Sequence, residues 1–400
     1  MSKAENAVLE FLRKYILFSA GAVLLFLSFW ARRSVLSYLS GDMEMYLIPW
    51  FYQIFGNDGL SSLGTGVGNY NIPYQTLIAI LTYLRGRPEN LIKYLSIIFD
   101  YVLAYASMRL VMVSLPKEDK RRGLASFITF FAVLYLPTVF LNSAVWGQCD
   151  ALYSSFIVLG ILELKKEKPW AAMIFFGLAI SFKLQAIFFL PALLLYYFCS
   201  RKFSILWLFE IPGMMIVTSL PGLILGRSVR DIFAIYAEQT VTYPYTQMDY
   251  PNIYFFLPND YKLLSTAGII FALAVLLITY TAVIRNTGSD SLPTAFWLRL
   301  TAWTGYACVM LLPAMHERYG FAAEILFVIY AVLYRDMILE TALLIGITVA
   351  AYTTFLFDFT SINLTVLSVI NTALFVFVTW KVFRRTGAEP AKAVSSAEEE

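Results

Sequence analysis

The sequence predicts an all-α integral membrane protein with about twelve transmembrane helices and additional amphipathic helices outside the bilayer. Of its 400 residues, 59% are apolar and only 14% are charged. Soluble domains carry about 25% charged residues, so the composition argues against a soluble globular protein. Apolar runs also recur along nearly the whole chain, and a helix needs roughly 20 mostly apolar residues to cross a bilayer.

These runs define candidate spans within one transmembrane domain, residues 1–385. The fourth, fifth and sixth runs are short, so tilted, broken or partial helices are expected there. The spans are expected at residues 14–33, 91–115, 122–142, 149–164, 170–184, 186–200, 203–226, 262–284, 294–312, 320–334, 337–357 and 362–382. The Ala- and Glu-rich segment 386–400 has too few apolar residues to fold and is predicted to be a disordered cytoplasmic tail.

The distribution of basic residues predicts the orientation, although the net charge is only +3. A cytoplasmic N terminus puts most of the basic residues, Lys165 and Lys202 among them, in cytoplasmic loops, the side that they prefer. The first span has a basic start, but no cleavage site follows it before Arg33, so we interpret it as an uncleaved anchor. Both termini are then cytoplasmic and the segment after the first span is external.

Two long insertions are expected on the external side. The first external loop covers 34–90, and its apolar residues recur on one helical face at Leu47, Trp50, Phe51, Ile54 and Phe55. This pattern predicts a helix lying in the membrane interface, with Trp50 at headgroup depth. Pro73 opens a second apolar stretch that is too short to span. The second large external loop, 227–261, is rich in Tyr, Pro and Asp.

A pair of carboxylates, Asp42 and Glu44, directly follows the first span. Carboxylates at the rim of a bilayer are costly to desolvate, so they are retained mainly where they handle protons or a polar substrate. A carboxylate close to an acceptor hydroxyl can act as a general base. Alternatively, Asp42 caps the following helix and Glu44 lies in its first turn.

Further polar residues converge on the external side from separate segments. They are Asn69, Tyr70 and Asn71, then Trp146, Gln148 and Asp150, then Lys183 and Gln185, then Arg227, Arg230 and Asp231, then Tyr250 and Asn252, then His316, Glu317 and Arg318. Each has a structural alternative: Asp150 can cap the fourth span, Lys183 can extend to the membrane surface, and Arg227 can mark the membrane edge. A lone histidine is more often structural, but the position of His316 next to an acid and a base at the outer rim favours function.

These residue types suit the transfer of a sugar from a lipid phosphate. Lysine, arginine and protonated histidine can neutralise the phosphate as it leaves. Aromatic and amide side chains suit the face of a sugar, and apolar grooves between helices admit a polyprenyl chain. A one-sided set of polar residues is therefore consistent with a membrane enzyme whose active site is external.

At these residues the chain resembles glycosyltransferases of the GT-C class, and in particular bacterial relatives of the PIG-V mannosyltransferases. The resemblance covers residues 40–320. It rests on Gly41-Asp42 and on NYNIPY at 69–74, WGQCDALY at 146–153, KLQ at 183–185, PNI at 251–253 and LPAMHERY at 312–319. The dolichyl-phosphate-glucose enzymes of N-glycan assembly are similar in outline.

The resemblance implies an inverting hexosyltransferase of the mannose or glucose class in a bacterial plasma membrane. It would transfer a hexose from a polyprenyl-phosphate donor to a lipid- or polymer-linked acceptor of a cell-envelope glycan, on the extracytoplasmic face. Asp42 would be the general base, with Glu44 beside it as a second catalytic carboxylate. His316, Arg318 and Lys183 would bind the donor phosphate. The substrate-binding residues would be Tyr70, Asn71, Trp146, Gln148, Asp150, Gln185, Tyr250, Asn252 and Glu317.

No cofactor, metal ion or nucleic-acid partner is expected. Asp42 and Glu44 have no further clear ligands, so a divalent metal is not favoured, and the three cysteines form neither a disulfide framework nor a zinc pattern. The alternative function is a transporter or flippase of lipid-linked sugars. It predicts charges midway through spans that face a central path, for which the candidates are Asp100, Arg109, Glu163, Arg299 and Glu324.

Overall fold

A computed structural model describes residues 2–241, 243–287, 293–359 and 361–384, which are helical almost throughout. The α-helices are α1 (Lys3–Ser34), α2 (Ile48–Gly56), α3 (Ile72–Leu81), α4 (Pro88–Ser114), α5 (Arg122–Leu134), α6 (Pro137–Phe140), α7 (Asp150–Lys165), α8 (Pro169–Phe182), α9 (Leu190–Ser200), α10 (Glu210–Ile224), α11 (Val229–Val241), α12 (Tyr261–Thr287), α13 (Thr294–Leu311), α14 (Phe321–Tyr334), α15 (Ile338–Phe357) and α16 (Leu364–Arg384). The tail predicted at 386–400 lies outside the described residues.

Shorter elements connect these helices. Met43–Leu47 and Leu141–Trp146 are π-helical turns, and Gly59–Gly64, Leu184–Phe189, Ile205–Phe209 and Ile253–Phe256 are 3-10 turns. Two short strands, β1 (Gln247–Met248) and β2 (Met315–His316), pair in parallel, with Met248 opposite His316. This pairing joins the second large insertion to the segment between α13 and α14.

Six helices in the described ranges are long and apolar enough to cross a membrane. They are Tyr15–Ser34, Pro88–Ser114, Ile205–Ile224, Tyr261–Asn286, Ile338–Phe357 and Leu364–Arg384. The bent pair Arg122–Leu134 and Pro137–Trp146 would make a seventh, and four shorter apolar helices accompany them. The all-α, multi-span class is therefore supported, whereas the number twelve remains a prediction.

The span expected at 122–142 is broken in the middle. Pro137 has no backbone N–H to donate, and Leu136 before it adopts a non-helical conformation, so α5 ends at Leu134. The two halves meet at 45°. The second half continues into the π-helical turn that ends at Trp146, and it thereby delivers the polar 146–150 segment to the site described below.

A buried ion pair ties the first helix to this bend. Arg32 Nε lies 3.0 Å from Asp100 Oδ2, and the same guanidinium donates to the Leu134 carbonyl at 2.7 Å. The Ser143 hydroxyl also donates to Asp100. Because Arg32 and Asp100 are both almost fully buried, removing either partner would leave an uncompensated charge in the interior.

The first external loop differs from the prediction in where its apolar face packs. α2 forms as expected, but Leu47, Phe51 and Ile54 are buried against the protein rather than turned towards lipid. Phe55 is 60% exposed, so the predicted apolar face is not a single surface. The sequence pattern could not distinguish these outcomes, since a protein core and a membrane interface both bury one helical face. The stretch opened by Pro73 forms the short helix α3, as predicted.

Candidate active site

A cavity with an empty volume of about 760 Å³ brings together polar residues from widely separated parts of the chain. The predicted residues that line it are Asp42, Asn69, Tyr70, Gln148, Lys183, Gln185, His316 and Arg318.

Asp42 projects into this cavity with its orientation fixed by two donors. Trp146 Nε1 donates to Asp42 Oδ2 at 2.9 Å, and Gln148 Nε2 donates to the same oxygen at 2.7 Å. In the part of the chain that the structure describes, no residue donates a hydrogen bond to Oδ1. The side chain is 16% exposed, so one carboxylate oxygen is held and the other remains available to a ligand.

The segment that carries Asp42 is attached to the loop that orients its carboxylate. The Ser40 hydroxyl donates to the Trp146 carbonyl at 2.8 Å and accepts from the Met43 N–H at 3.2 Å. Gly147 has φ +82°, a conformation that favours glycine, and a Cβ there would lie 2.2 Å from the end of the Met43 side chain. The backbone conformation therefore favours glycine at position 147, and a larger residue there would displace the end of the Met43 side chain.

Lys93 of α4 supports the same segment from behind. Its side chain is fully buried, and its ammonium donates to the backbone carbonyls of Leu36, at 3.2 Å, and of Tyr38. No described carboxylate lies within ion-pair distance of it. The ammonium also lies over the Tyr38 ring, 5.9 Å from its centroid, so Lys93 holds the chain between α1 and Asp42 at two points.

A second carboxylate, Asp150, anchors Lys183 at the wall of the cavity. Asp150 is buried, accepts from Asn142 Nδ2 at 2.7 Å, and forms an ion pair with Lys183. Its side chain makes no capping bond in α7, and Lys183 is only 7% exposed. Lys183 is placed by the end of α8, where the chain becomes extended before the Leu184–Phe189 turn. The geometry therefore excludes both simple alternatives, helix capping and extension to the surface.

Arg318 links the three carboxylates of the site. Its NH1 lies 3.0 Å from Glu317 Oε1 and 3.9 Å from Asp42 Oδ2, and its Nε lies 3.7 Å from Asp150 Oδ2. Burial alone would lower the pKa of Arg318, but these carboxylates raise it well above its usual value. The guanidinium also lies over the Trp146 ring, 5.1 Å from the centroid. Arg318 is therefore a permanent cation next to Asp42.

Glu317 is fully buried behind this arginine. Burial would raise the pKa of Glu317, but its interactions with His316 and Arg318 outweigh burial and hold that pKa below the usual value of 4.5. His316 Nδ1 lies 3.7 Å from Glu317 Oε2, which is too far for a hydrogen bond, so the two side chains interact electrostatically. Glu317 thus remains ionised at neutral pH and supports the two basic residues that line the cavity.

The β1–β2 pairing positions His316. The His316 ring packs edge-on against Tyr243 and Tyr319, with both centroid distances at 5.2 Å. Burial raises the pKa of Tyr319 to about 12, so its phenol stays neutral and able to donate. Burial also raises the pKa of Asp249, which forms a backbone bridge with His316, and repulsion from Glu317 adds to this effect.

Aromatic and amide groups form the rest of the wall. The Tyr70 hydroxyl donates to Gln148 Oε1 at 3.0 Å, which leaves Gln148 Nε2 for Asp42. Trp50 packs against Tyr70 at 5.5 Å and against Tyr46 at 5.7 Å. Trp50 therefore lines the cavity, and the headgroup depth expected for it remains a prediction. Such a wall offers ring faces and amide donors to a sugar.

The second insertion contributes residues that sequence reasoning missed. Gln239 of α11 lines the cavity and donates to the Asn69 carbonyl at 2.7 Å and to Asn71 Oδ1 at 3.0 Å. Tyr243 also lines it. The Tyr-rich composition of 227–261 was the available signal, but composition alone does not indicate which residues meet the first insertion. Asn71 is buried and holds α11 rather than lining the cavity.

Other predicted residues do not reach the cavity. Glu44 is exposed and not part of the lining. Asn252 is buried, caps the Ile253–Phe256 turn, and donates to the Val309 and Leu312 carbonyls. Tyr250 is buried against Gly320.

Three other predicted residues lie behind the lining and orient the residues that form it: Trp146, Asp150 and Glu317. At the start of the second insertion, Arg227 is only partly buried and its NH1 donates to Gln75 Oε1 at 3.3 Å.

In the described ranges, no group of three or more His, Cys, Asp and Glu side chains is arranged to hold a metal ion. The cavity carboxylates are instead bound by arginine, lysine, indole and amide donors. Metal independence stays a prediction.

The apolar helices and the polar cavity define an integral-membrane protein with a site suited to a polar, charged substrate. The chain belongs to glycosyltransferase family 87, which matches residues 69–313, more than half of its length. This is a membrane family of the GT-C type, so the protein is a membrane glycosyltransferase that uses a sugar donor and an acceptor. No curated protein matches the chain. The match includes Tyr70, Gln148 and Lys183 but neither Asp42 nor His316, and the likeness to PIG-V mannosyltransferases remains a prediction.

Proposed function

We propose that this protein transfers a hexose from a polyprenyl-phosphate donor to a hydroxyl of a lipid- or polymer-linked acceptor, with Asp42 as the general base. The observation that carries the proposal is the position of Asp42 in a cavity that it shares with Lys183, His316 and Arg318. The acceptor oxygen attacks the anomeric carbon while its proton passes to Asp42. The bond from that carbon to the phosphate oxygen breaks, and the polyprenyl phosphate leaves with the electron pair.

The arrangement supports this reaction because the charged groups are held before substrate arrives. Trp146 and Gln148 fix one oxygen of Asp42, so the other can accept the proton. Arg318 and Lys183 are each held by carboxylates and can stabilise the charge that develops on the phosphate. A single displacement would invert the anomeric configuration. The proposal keeps the hexose in the mannose or glucose class and the site on the extracytoplasmic face of the plasma membrane.

The transporter alternative receives no comparable support. Its charged candidates do not line this cavity: Asp100 pairs with Arg32, and Glu163 pairs with Lys166 at 2.6 Å. Arg299 donates to the Tyr330 hydroxyl and the Val382 carbonyl. Asp100, Glu163 and Arg299 are therefore used in local contacts at different places in the fold.

Asp42→Asn tests the base. We expect the rate constant for sugar transfer to fall by about 10²- to 10⁴-fold, because general-base catalysis contributes that much, while donor binding is retained. The assay uses purified protein with polyprenyl-phosphate mannose and polyprenyl-phosphate glucose. Glu44→Gln is the matched control, since it neutralises the neighbouring carboxylate, which is exposed and outside the lining. Full transfer by a folded Asp42→Asn variant, or equal losses in both variants, would contradict the assignment.

His316→Ala tests the donor-phosphate assignment. We expect the KM for the donor to rise about tenfold or more while the KM for the acceptor changes little, because a hydrogen bond to a charged group contributes about 1.5–3 kcal/mol. Glu44→Gln is again the control, since Glu44 is exposed and does not line the cavity. A His316→Ala variant whose acceptor KM rises instead would reverse the assignment.

A further inference from the structure

A second cavity, with an empty volume of about 730 Å³, lies at the other end of α7 from the candidate active site. α7 begins at Asp150, next to the first cavity, and ends at Lys165, which lines the second. Its 16 residues cover about 24 Å at 1.5 Å per residue, so the two cavities are separated by most of the thickness of a bilayer core.

The second cavity has a net positive lining. Lys165 and Lys202 contribute two positive charges and Glu167 contributes one negative charge. Lys202 pairs with Glu167 at 2.8 Å, and both side chains are largely exposed. Lys165 is partly buried, and its ammonium donates to the neutral hydroxyl of Thr294 at 3.1 Å. No carboxylate in the described ranges lies within ion-pair distance of Lys165, and Glu167, which attracts it from farther away, is itself paired with Lys202.

The hydroxyl groups and a helix end around Lys165 also suit an anion. Ser200 Oγ is buried and has no hydrogen-bond partner among the described residues. Thr294 opens α13, an 18-residue helix whose first N–H groups carry partial positive charge. Lys165 lies in the last turn of α7, where its charge complements the dipole of α7. An exposed lysine would do this equally well, so the dipole of α7 does not explain why Lys165 is partly buried.

Two aromatic residues line the second cavity beside its lysines. Tyr196 and Trp297 both line the cavity, and their ring centroids are 4.6 Å apart. Apolar residues, such as Leu110 and Leu298, line the remainder. Amphipathic rings beside basic side chains are typical of the headgroup region of a bilayer. A group with a compact anionic end and an adjoining apolar part would match this lining.

We propose that the second cavity binds a phosphate group through Lys165, Lys202 and the hydroxyls of Ser200 and Thr294. The phosphate comes from the headgroup of an anionic lipid or from free inorganic phosphate, and both sources offer the same oxygens. The site is distinct from the candidate active site and does not depend on the function proposed for it.

The test uses the full-length protein purified in a neutral detergent. Native mass spectrometry measures the binding of phosphatidylglycerol and phosphatidylcholine, and a thermal-shift assay measures stabilisation by inorganic phosphate. The double variant Lys165→Gln/Lys202→Gln removes the two cavity lysines. The matched control Lys117→Gln/Lys168→Gln removes two exposed lysines that do not line the cavity.

We expect the wild type and the control to prefer phosphatidylglycerol, and the cavity variant to bind it about 30-fold more weakly, since each lysine near a lipid surface contributes about fivefold. This result identifies a lipid headgroup. Stabilisation by inorganic phosphate that only the cavity variant loses, without a lipid preference, identifies free phosphate. If the cavity variant and the control respond alike in both assays while both keep the wild-type melting temperature, the proposal is wrong.

Discussion

At the scale of single residues, hydrogen-bond partners distinguish functional carboxylates from structural ones. Asp42 stands immediately before the Met43–Leu47 turn, yet it makes no capping bond. Ser40 accepts the Met43 N–H instead, which leaves the Asp42 carboxylate to Trp146 and Gln148. Because another side chain performs the capping, helix formation alone does not explain an acid at this position.

Glu317→Gln should make the stability of the protein less dependent on pH. The pKa of Glu317 is lowered in the folded state, so its ionised form contributes stability above the usual pKa of 4.5, and that contribution is lost as pH falls through the folded-state value. At neutral pH we expect the variant to be less stable than the wild type by about 1–3 kcal/mol, because Arg318 loses a charged partner. The difference should shrink in acid, as measured by thermal unfolding in detergent between neutral pH and about pH 3.5.

Glu44→Gln is the control for this measurement, since it removes an exposed carboxylate. Its stability relative to the wild type should show little change with pH, because surface charges contribute little. A stability difference for Glu317→Gln that stays constant or widens in acid would show that the charge of Glu317 is not the origin of its effect.

At the scale of elements, irregular segments rather than regular helices build the candidate site. Asp42 precedes a π-helical turn, Trp146 ends another, Lys183 lies in an extended break between α8 and the next turn, and His316 lies in a two-residue strand. Breaks in the helices allow side chains from different spans to meet in one cavity without a long external domain. The buried Arg32–Asp100 pair holds the bend after Leu134, and Lys93 holds the segment before Asp42.

Lys93→Met should lower both stability and the rate of transfer. The substitution keeps an unbranched side chain in a fully buried position but leaves the Leu36 and Tyr38 carbonyls without their donor. Each unpaired buried group costs about 1–3 kcal/mol, so thermal unfolding should occur at a lower temperature. Below that temperature the transfer rate constant should also fall, while the donor KM changes less, because the segment that carries Asp42 is held less firmly.

Lys262→Met is the control, since it replaces a lysine on α12 that does not line the cavity. It should leave both the unfolding temperature and the transfer rate constant close to the wild-type values. A Lys93→Met variant that unfolds earlier but transfers at the wild-type rate would limit Lys93 to a role in stability.

At the scale of the whole molecule, the sequence predicted an all-α membrane protein and several residues of the cavity lining for a simple physical reason. Apolar runs long enough to cross a bilayer identify helices without any tertiary information, and charged groups such as Asp42 and Lys183 are conspicuous among them. Contacts between residues far apart in the chain could not be predicted in this way. The pairing of Gln239 with Asn71, and the burial of Asn252 between helix ends, depend on how α11 and α13 pack, which one-dimensional patterns do not specify.

The two cavities lie at opposite ends of α7, so the predicted orientation can be tested by labelling from one side. Glu44, next to the Asp42 segment, and Lys168, at the start of α8, are both exposed. The three native cysteines are buried, which keeps background labelling low. In intact bacterial cells, a membrane-impermeant maleimide should label Glu44→Cys and not Lys168→Cys, whereas both variants should react after solubilisation in detergent. The reverse pattern would place the candidate active site in the cytoplasm, and labelling of both in intact cells would mean that α7 does not separate the two membrane faces.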